Sequence, residues 1–238
     1  MAHASLLSAG VYDEGGSTRP GPCRLKNLVI CGNGMINGNG FRLAYNEGPN
    51  HHDAGGGCPV PFSTRQAPTL RGRCILLQNA QNVCVRDLTV CYGPSWTIHA
   101  IYCEHVSFEH LQIISKGDGT TGAADDICIL NGDGIDPDSS RHIQIFDCVF
   151  HTGDDAVAIK SGRNREGNEL DLPSAHIRVT DCESSDSKGG FCIGSEQSGG
   201  AHDILWQNLT VSRISGGCLS QFQCQSGESP AGNLSSDL

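Results

Sequence analysis

The chain has 238 residues, 37% of them hydrophobic and 18% charged, with 31 glycines against 10 prolines; one folding core fits that length, and disordered, collagen-like and coiled-coil compositions are excluded. Sixteen basic and 26 acidic side chains give a formal charge of −10, which argues against nucleic acid or an anionic membrane as partner. No apolar run nears the roughly 18 residues of a membrane span, and Met1 to Leu7 lacks the basic and apolar regions of an export signal, so the sequence as written predicts a soluble, intracellular chain.

In chain order, six segments read alike. They are Asn27–Cys31, Asn82–Val90, His105–Ile113, His142–Phe150, His176–Cys182 and His202–Val211. Each opens on a polar residue, runs through a short alternating apolar strand, breaks at a polar position, and the longer segments then start a second strand. From Asn82 onward the lead residues are 23, 37, 34 and 26 apart, and the long intervals carry loop insertions (Gly117 to Ala124, Arg163 to Pro173). Without those insertions the period returns to the mid-twenties, a solenoid spacing. Gly32 to Gly40 has the wrong spacing for a dinucleotide loop and reads as a turn-rich corner. No stretch holds an i, i+3, i+4, i+7 apolar pattern, so the fold class predicted is all-β: a parallel β-helix whose coils stack at about 4.8 Å. Asn82, His105, His142, His176 and His202 should occupy equivalent positions, with Val83, Val85, Ile143, Ile145, Ile177 and Val179 pointing inward. Of the 13 cysteines, Cys84, Cys91, Cys148, Cys182 and Cys192 fall in strand-like runs and are expected as small buried hydrophobes. No C-x-x-C pair and no EF-hand spacing occurs, so no metal or cofactor is expected.

The chemistry is concentrated between Asn131 and Gly162. Asp133 and Asp154 are 21 residues apart, about one coil, which places them one above the other on one outer face. Carboxylates forced together cannot all ionise, so Asp133, Asp154 and Asp155 can supply an acid and a base from one residue type. Glycoside hydrolysis needs that pairing. Asp beside Gly also marks turns and strand ends, and that reading is taken for Asp125, Asp126, Asp136 and Asp138.

At these residues the sequence resembles the polygalacturonase-like pectin hydrolases, glycoside hydrolase family 28. Asn131-Gly132-Asp133 is similar to the family's N-T-D motif, and Gly153-Asp154-Asp155 matches its G-D-D. Gly134-Ile-Asp-Pro-Asp-Ser139 and Asp155-Ala-Val-Ala-Ile-Lys-Ser-Gly162 resemble motifs of a bacterial branch, and Ser95–His99 and Ile193–Gly200 add to the likeness. The resemblance implies a right-handed parallel β-helix acting on galacturonide-containing pectic polysaccharide or oligosaccharide. It implies Asp154 as general acid, with Asp133 and Asp155 holding and deprotonating the attacking water, and so hydrolysis with inversion. Lys160 is a candidate partner for a uronate carboxylate, or else a solvated strand-end lysine. Trp96 and His99 are candidates for the sugar groove, or else core residues.

Two family motifs are missing. A G-H-G histidine would fall on Lys188 or Gly189, which puts Lys188 at the substrate site, and an R-x-K clamp would fall where Cys218-Leu219-Ser220-Gln221 stands. The expected organisation is one domain over 1–238, with an ordered core from about 22 to 215 and a divergent tail from 216 to 238, short at both ends, as in a fragment, a misread frame or a decayed paralogue. The family's members are often secreted or periplasmic, in contrast to the intracellular expectation above. Two rivals follow: a catalytically impaired β-helix that binds acidic polysaccharide, and a calcium-dependent lyase on a similar scaffold. Oligomeric state is not encoded in any of these features.

Overall fold

The computed structural model describes residues 6–10, 20–23, 25–40, 72–117, 129 and 131–213. These form six coils of a parallel β-helix, each contributing one strand to each of three six-stranded sheets. The first sheet stacks β1 (Leu7–Gly10), β4 (Ile75–Gln78), β7 (Ile98–Ile101), β10 (Ile135–Asp138), β13 (Val157–Ile159) and β16 (Phe191–Ile193). The second stacks β2 (Leu25–Cys31), β5 (Ala80–Arg86), β8 (Glu104–Glu109), β11 (Arg141–Phe146), β14 (Ser174–Thr180) and β17 (Ala201–Gln207). The third stacks β3 (Met35–Asn37), β6 (Thr89–Cys91), β9 (Gln112–Ile114), β12 (Val149–His151), β15 (Glu183–Ser185) and β18 (Thr210–Ser212). Among the described residues one helix interrupts the coils, α1 (Asn164–Leu170). It occupies the insertion that the sequence reads as loop, and no described helix is long and apolar enough to cross a membrane.

The core is a set of ladders running along the solenoid. Val83, Val106, Ile143, Ile177 and Ile204 pair in register through the second sheet, as do Val85, Phe108, Ile145, Val179 and Trp206. The six apolar positions predicted to face inward are all buried. Phe150 packs edge-on to Phe191 at 6.1 Å, joining the third sheet to the first. Burial at every coil is the driving term, at roughly 1.5–3 kcal/mol for each fully buried large side chain.

The polar leads line up as expected, with one correction. Asn27, Asn82, His105, His142 and His176 all adopt left-handed φ between 55° and 59° near the start of their strands. In the last coil that conformation belongs to Asp203 (φ 55°), because Ala175 pairs with His202 and Ile177 with Ile204. His202 therefore stands one position early: the His-Asp-Ile stretch carries an extra polar residue before the apolar alternation begins.

All nine described cysteines are free thiols. Cys91, Cys148, Cys182 and Cys192 are buried as expected. Cys84 is not, because it alternates with inward Val83 and Val85 and points outward, its thiol 3.7 Å from Glu109 Oε1. Asp125, Asp126, Cys218–Gln221 and the expected tail lie outside the described residues.

Candidate active site

The turns from the third sheet into the first stack above one another, and each delivers polar residues to one face. Trp96 precedes β7, Asp133 precedes β10, Asp154 and Asp155 precede β13, and Lys188 precedes β16. Backbone hydrogen bonds fix the vertical alignment: Thr97 N–H donates to Asp133 C=O at 2.8 Å, and Gly134 N–H donates to Asp155 C=O at 2.9 Å. The Thr152–Asp155 turn is tied down from both neighbouring coils. Ser115 Oγ accepts from Gly153 N–H at 2.9 Å, while Thr152 Oγ1 bonds Ser187 Oγ at 2.9 Å and donates to Asp154 C=O at 2.8 Å. Glycine is required in this wall, because a Cβ on Gly134 would strike the Ala156 carbonyl and the Phe150 ring.

Beneath the turns lies a buried charge cluster. Lys160 Nζ is 3.5 Å from Asp133 Oδ2, 3.5 Å from Asp136 Oδ1 and 3.0 Å from Glu196 Oε2. It also lies 4.4 Å from the Trp96 ring centroid. Burial alone would lower the lysine's pKa, but Asp133, Asp136 and Glu196 together reverse this and raise it well above the ordinary range. Burial likewise opposes ionisation of Glu196, and Lys160 outweighs it, so that pKa falls. Asp136 behaves oppositely. It is fully buried, neither carboxyl oxygen has a hydrogen-bond partner, and burial followed by the charge of Asp133 pushes its pKa well up. One ammonium thus faces three carboxyl groups, and burial beside Asp133 holds Asp136 toward its protonated form.

Asp154 and Asp155 are half-buried at the rim. Burial, then Asp133 and Asp155, raise the Asp154 pKa to about 7, against the pull of Lys188 and Lys160. Burial and Asp133 raise Asp155 to about 6, with the Cys192 thiol and the same two lysines opposing. Lys188 Nζ stands 3.6 Å from Asp154 Oδ1, and its side chain is 45% exposed. Gly189, the alternative position for the absent histidine, could carry a side chain only by displacing the Asp155 carboxyl, because its Cβ would overlap Asp155 Oδ1.

The structure therefore gathers Asp133, Asp154, Asp155, Lys160 and Lys188 on one face, with Trp96 and His99 beside them. Lys160 is neither solvated nor free to reach a substrate, since it is 3% exposed and committed to internal carboxylates. His99 is also buried. Burial lowers its pKa, and its Nε2 lies 3.3 Å from Asp138 Oδ2. Burial would raise the Asp138 pKa, but His99 and the Gly162 N–H (2.9 Å) hold it down, so an ionised Asp138 accepts from the neutral imidazole. The ring of Trp96 meets His99 edge-on at 4.9 Å and carries the Arg73 guanidinium at 4.0 Å.

Four contributors were not assigned to the site from sequence: Asp136, Asp138, Glu196 and Arg73. Asp136 corrects the turn-and-cap reading, because it lies inside β10 and is fully buried, whereas Asp138 ends that strand and accepts from the Gly162 N–H as a cap does, while also being buried against His99. The signal for them is alternation: Asp136 pairs with His99 and Asp138 with Lys160, one face of one sheet. For Arg73, outside any repeat segment, no such signal exists.

Residues 17–218 match the family model for glycosyl hydrolases family 28. The chain is 30% identical over 139 residues to a probable polygalacturonase of Vitis vinifera, covering 58% of this chain and 26% of that protein. A hyperthermoactive exopolygalacturonase from Thermotoga maritima superposes with a TM-score of 0.52 at 30% identity, covering 64% of this chain and 34% of that one. A family 28 exopolygalacturonase from Yersinia enterocolitica superposes with a TM-score of 0.62 over 87% of this chain and 38% of its own, and at 19% identity it speaks for the fold alone. The chain spans between 26% and 30% of the length of the first curated relatives it matches.

Proposed function

The chain belongs to glycosyl hydrolases family 28, and from that premise we propose that it hydrolyses galacturonide linkages of pectic polysaccharide or oligosaccharide by general acid and base catalysis with inversion. One observation carries the reading: Asp133, Asp154 and Asp155 converge from adjacent coils, and mutual repulsion together with burial holds Asp154 near a pKa of about 7. A carboxyl group with that pKa is protonated in mildly acidic solution and can hand its proton to the glycosidic oxygen. Asp133, held by Lys160, and Asp155 are the groups that orient and deprotonate the attacking water. Lys160 serves as a positioning residue for Asp133. Lys188 is the cation of this cluster that remains exposed, and it is the group suited to meet a uronate carboxylate.

The test is product analysis on polygalacturonate and rhamnogalacturonan with and without chelator. Saturated reducing ends of inverted configuration, lost in Asp154→Asn, support the proposal. Ultraviolet-absorbing unsaturated ends that vanish with chelator would establish the lyase instead.

A second reading, a polysaccharide-binding module with impaired catalysis, is favoured by Lys188 itself. An ammonium 3.6 Å from Asp154 stabilises the carboxylate and works against the acid form. Lys188→His should therefore move the alkaline limb of kcat/KM upward by a few tenths of a pH unit, a modest shift because the lysine is well solvated. An unmoved limb would show that Lys188 does not set the acidity of Asp154. Binding of oligogalacturonide without turnover in either protein would establish the module.

A further inference from the structure

We propose that the outer face of the second sheet carries a binding site for a divalent transition-metal ion, built from Glu104, His105 and His142. The inference starts from the left-handed residue near the start of each strand of that sheet. His105, His142 and His176 hold this position in three successive coils, at φ 57°, 57° and 55°. The fold therefore imposes a column of imidazoles, with ring centroids 4.7 Å apart between His105 and His142 and 4.8 Å between His142 and His176. Glu104 closes the lower end, where one carboxylate oxygen and one nitrogen from each of His105 and His142 all lie within 4.8 Å of one another. Among the described residues no other three such side chains converge so closely.

Two neutral imidazoles and a carboxylate are a donor set for Zn²⁺, Ni²⁺ or Cu²⁺ rather than for Ca²⁺ or Mg²⁺. Ligands about 2.1 Å from an ion in tetrahedral array stand about 3.4 Å apart, so the trio must contract by under about 1.5 Å. The rings are now stacked, with planes only 9° apart, and their nitrogens reach a common ion by rotation about Cβ–Cγ. Both histidines are exposed, so only the imidazoles stacked in the column, His176 against His142 among them, have to yield to that turn. Glu104 is already steered, its Oε1 3.1 Å from Arg141 Nε and its Oε2 3.3 Å from Gln81 Nε2. The oxygen nearest His105 Nε2, at 3.7 Å, is the one Arg141 holds, so the ion competes with that guanidinium and the charge of Arg141 moderates the affinity. Because Glu104 and His105 sit on β8 and His142 on β11, the bound ion pins one coil to the next, on a face formed by other residues than the acidic cluster.

The experiment is calorimetric titration of the tag-free full chain with ZnCl₂ at pH 7.5, after alkylation of the exposed Cys23 and Cys31, with thermal melting alongside. His142→Asn is the informative variant, because Asn27 and Asn82 already hold the same backbone position in the first two coils. Glu104→Gln is the second, and His202→Asn, outside the trio, is the control. One saturable equivalent in the wild type and in His202→Asn, a higher Tm with zinc, and binding at least tenfold weaker in His142→Asn and Glu104→Gln are expected. Equal affinity in wild type and His142→Asn, or no saturable binding by the wild type, overturns the site.

Discussion

Asp154 is where stability and chemistry oppose each other. Its pKa is raised from 3.8 to about 7, first by burial and then by Asp133 and Asp155. The folded state therefore binds a proton that the unfolded chain has already released, and this contribution, complete below about pH 4, is lost as pH rises through 7. Asp154→Asn removes the charge that folding must tolerate. At pH 8 the variant should be more stable than the wild type by about 1–3 kcal/mol, with the difference closing at pH 4, as read by denaturant midpoints at both pH values. A variant less stable than the wild type at pH 8 would mean that the ion pair between Lys188 and Asp154 outweighs the cost of the buried charge. The carboxyl trio was legible in the sequence because Gly-Asp-Asp and Asn-Gly-Asp fall one coil apart. Asp136 was not, because its burial depends on a neighbouring strand supplying Lys160, and Lys160 was assigned outward because no local signal distinguishes a lysine facing solvent from one enclosed by three carboxyl groups.

At the level of single elements, the turn before β16 shows how tightly backbone and chemistry are fitted. Gly189 leaves the space that Asp155 Oδ1 occupies, and its N–H reaches toward the Asp154 carbonyl at 3.5 Å. Gly189→Ala should displace the Asp155 carboxyl and lower kcat by tenfold or more, at a stability cost of only about 1–2 kcal/mol. Steady-state kinetics beside a melting curve separates the two effects, and unchanged kcat would show that Asp155 does not act in the reaction. The strands themselves were readable from period-2 alternation, as Ile143, Ile145, Ile177 and Val179 demonstrate. Boundaries were harder where polar residues cluster: one extra residue in His202-Asp203-Ile204 moved the lead to Asp203, and Cys84 followed the strand alternation outward despite its apolar character. The helix α1 was invisible because its sequence, Asn-Arg-Glu-Gly-Asn-Glu-Leu, buries only Gly167 and so has no apolar stripe to read.

Across the molecule, each coil rests only on its neighbours, so stability is distributed along one axis. The middle coils bury Val106, Phe108, Ile143, Ile145 and Phe150 completely or nearly so, whereas the equivalent inward positions of the terminal ones, Leu28, Ile30, Ile36, Ile204 and Trp206, are only partly buried. Amide hydrogen exchange should accordingly show the strongest protection in β8, β11 and β14 and the weakest in β2, β3, β17 and β18. Uniform protection along the axis would indicate that the end strands are covered by further contacts. A repeating architecture was predictable from the sequence because every coil restates the same pattern, while the exposure of its outermost rungs depends on what lies beside them and is written in no single repeat.

The alignment of four successive turns also limits how such a chain can change its length over evolutionary time. Duplicating or deleting a whole coil leaves every ladder intact wherever neighbours are interchangeable. Between Ser95 and Glu196 they are not, because Asp133, Asp154 and Lys188 come from consecutive coils and meet Lys160 or one another across single rungs, and Trp96 meets Lys160 across two. One coil inserted there would part a carboxyl group from its partner by about 4.8 Å, far beyond contact, without disturbing the core. Descendants of such a chain are free to grow or shrink at the flanks, while the stretch that holds the acids behaves as a fixed gauge, inherited whole or lost whole.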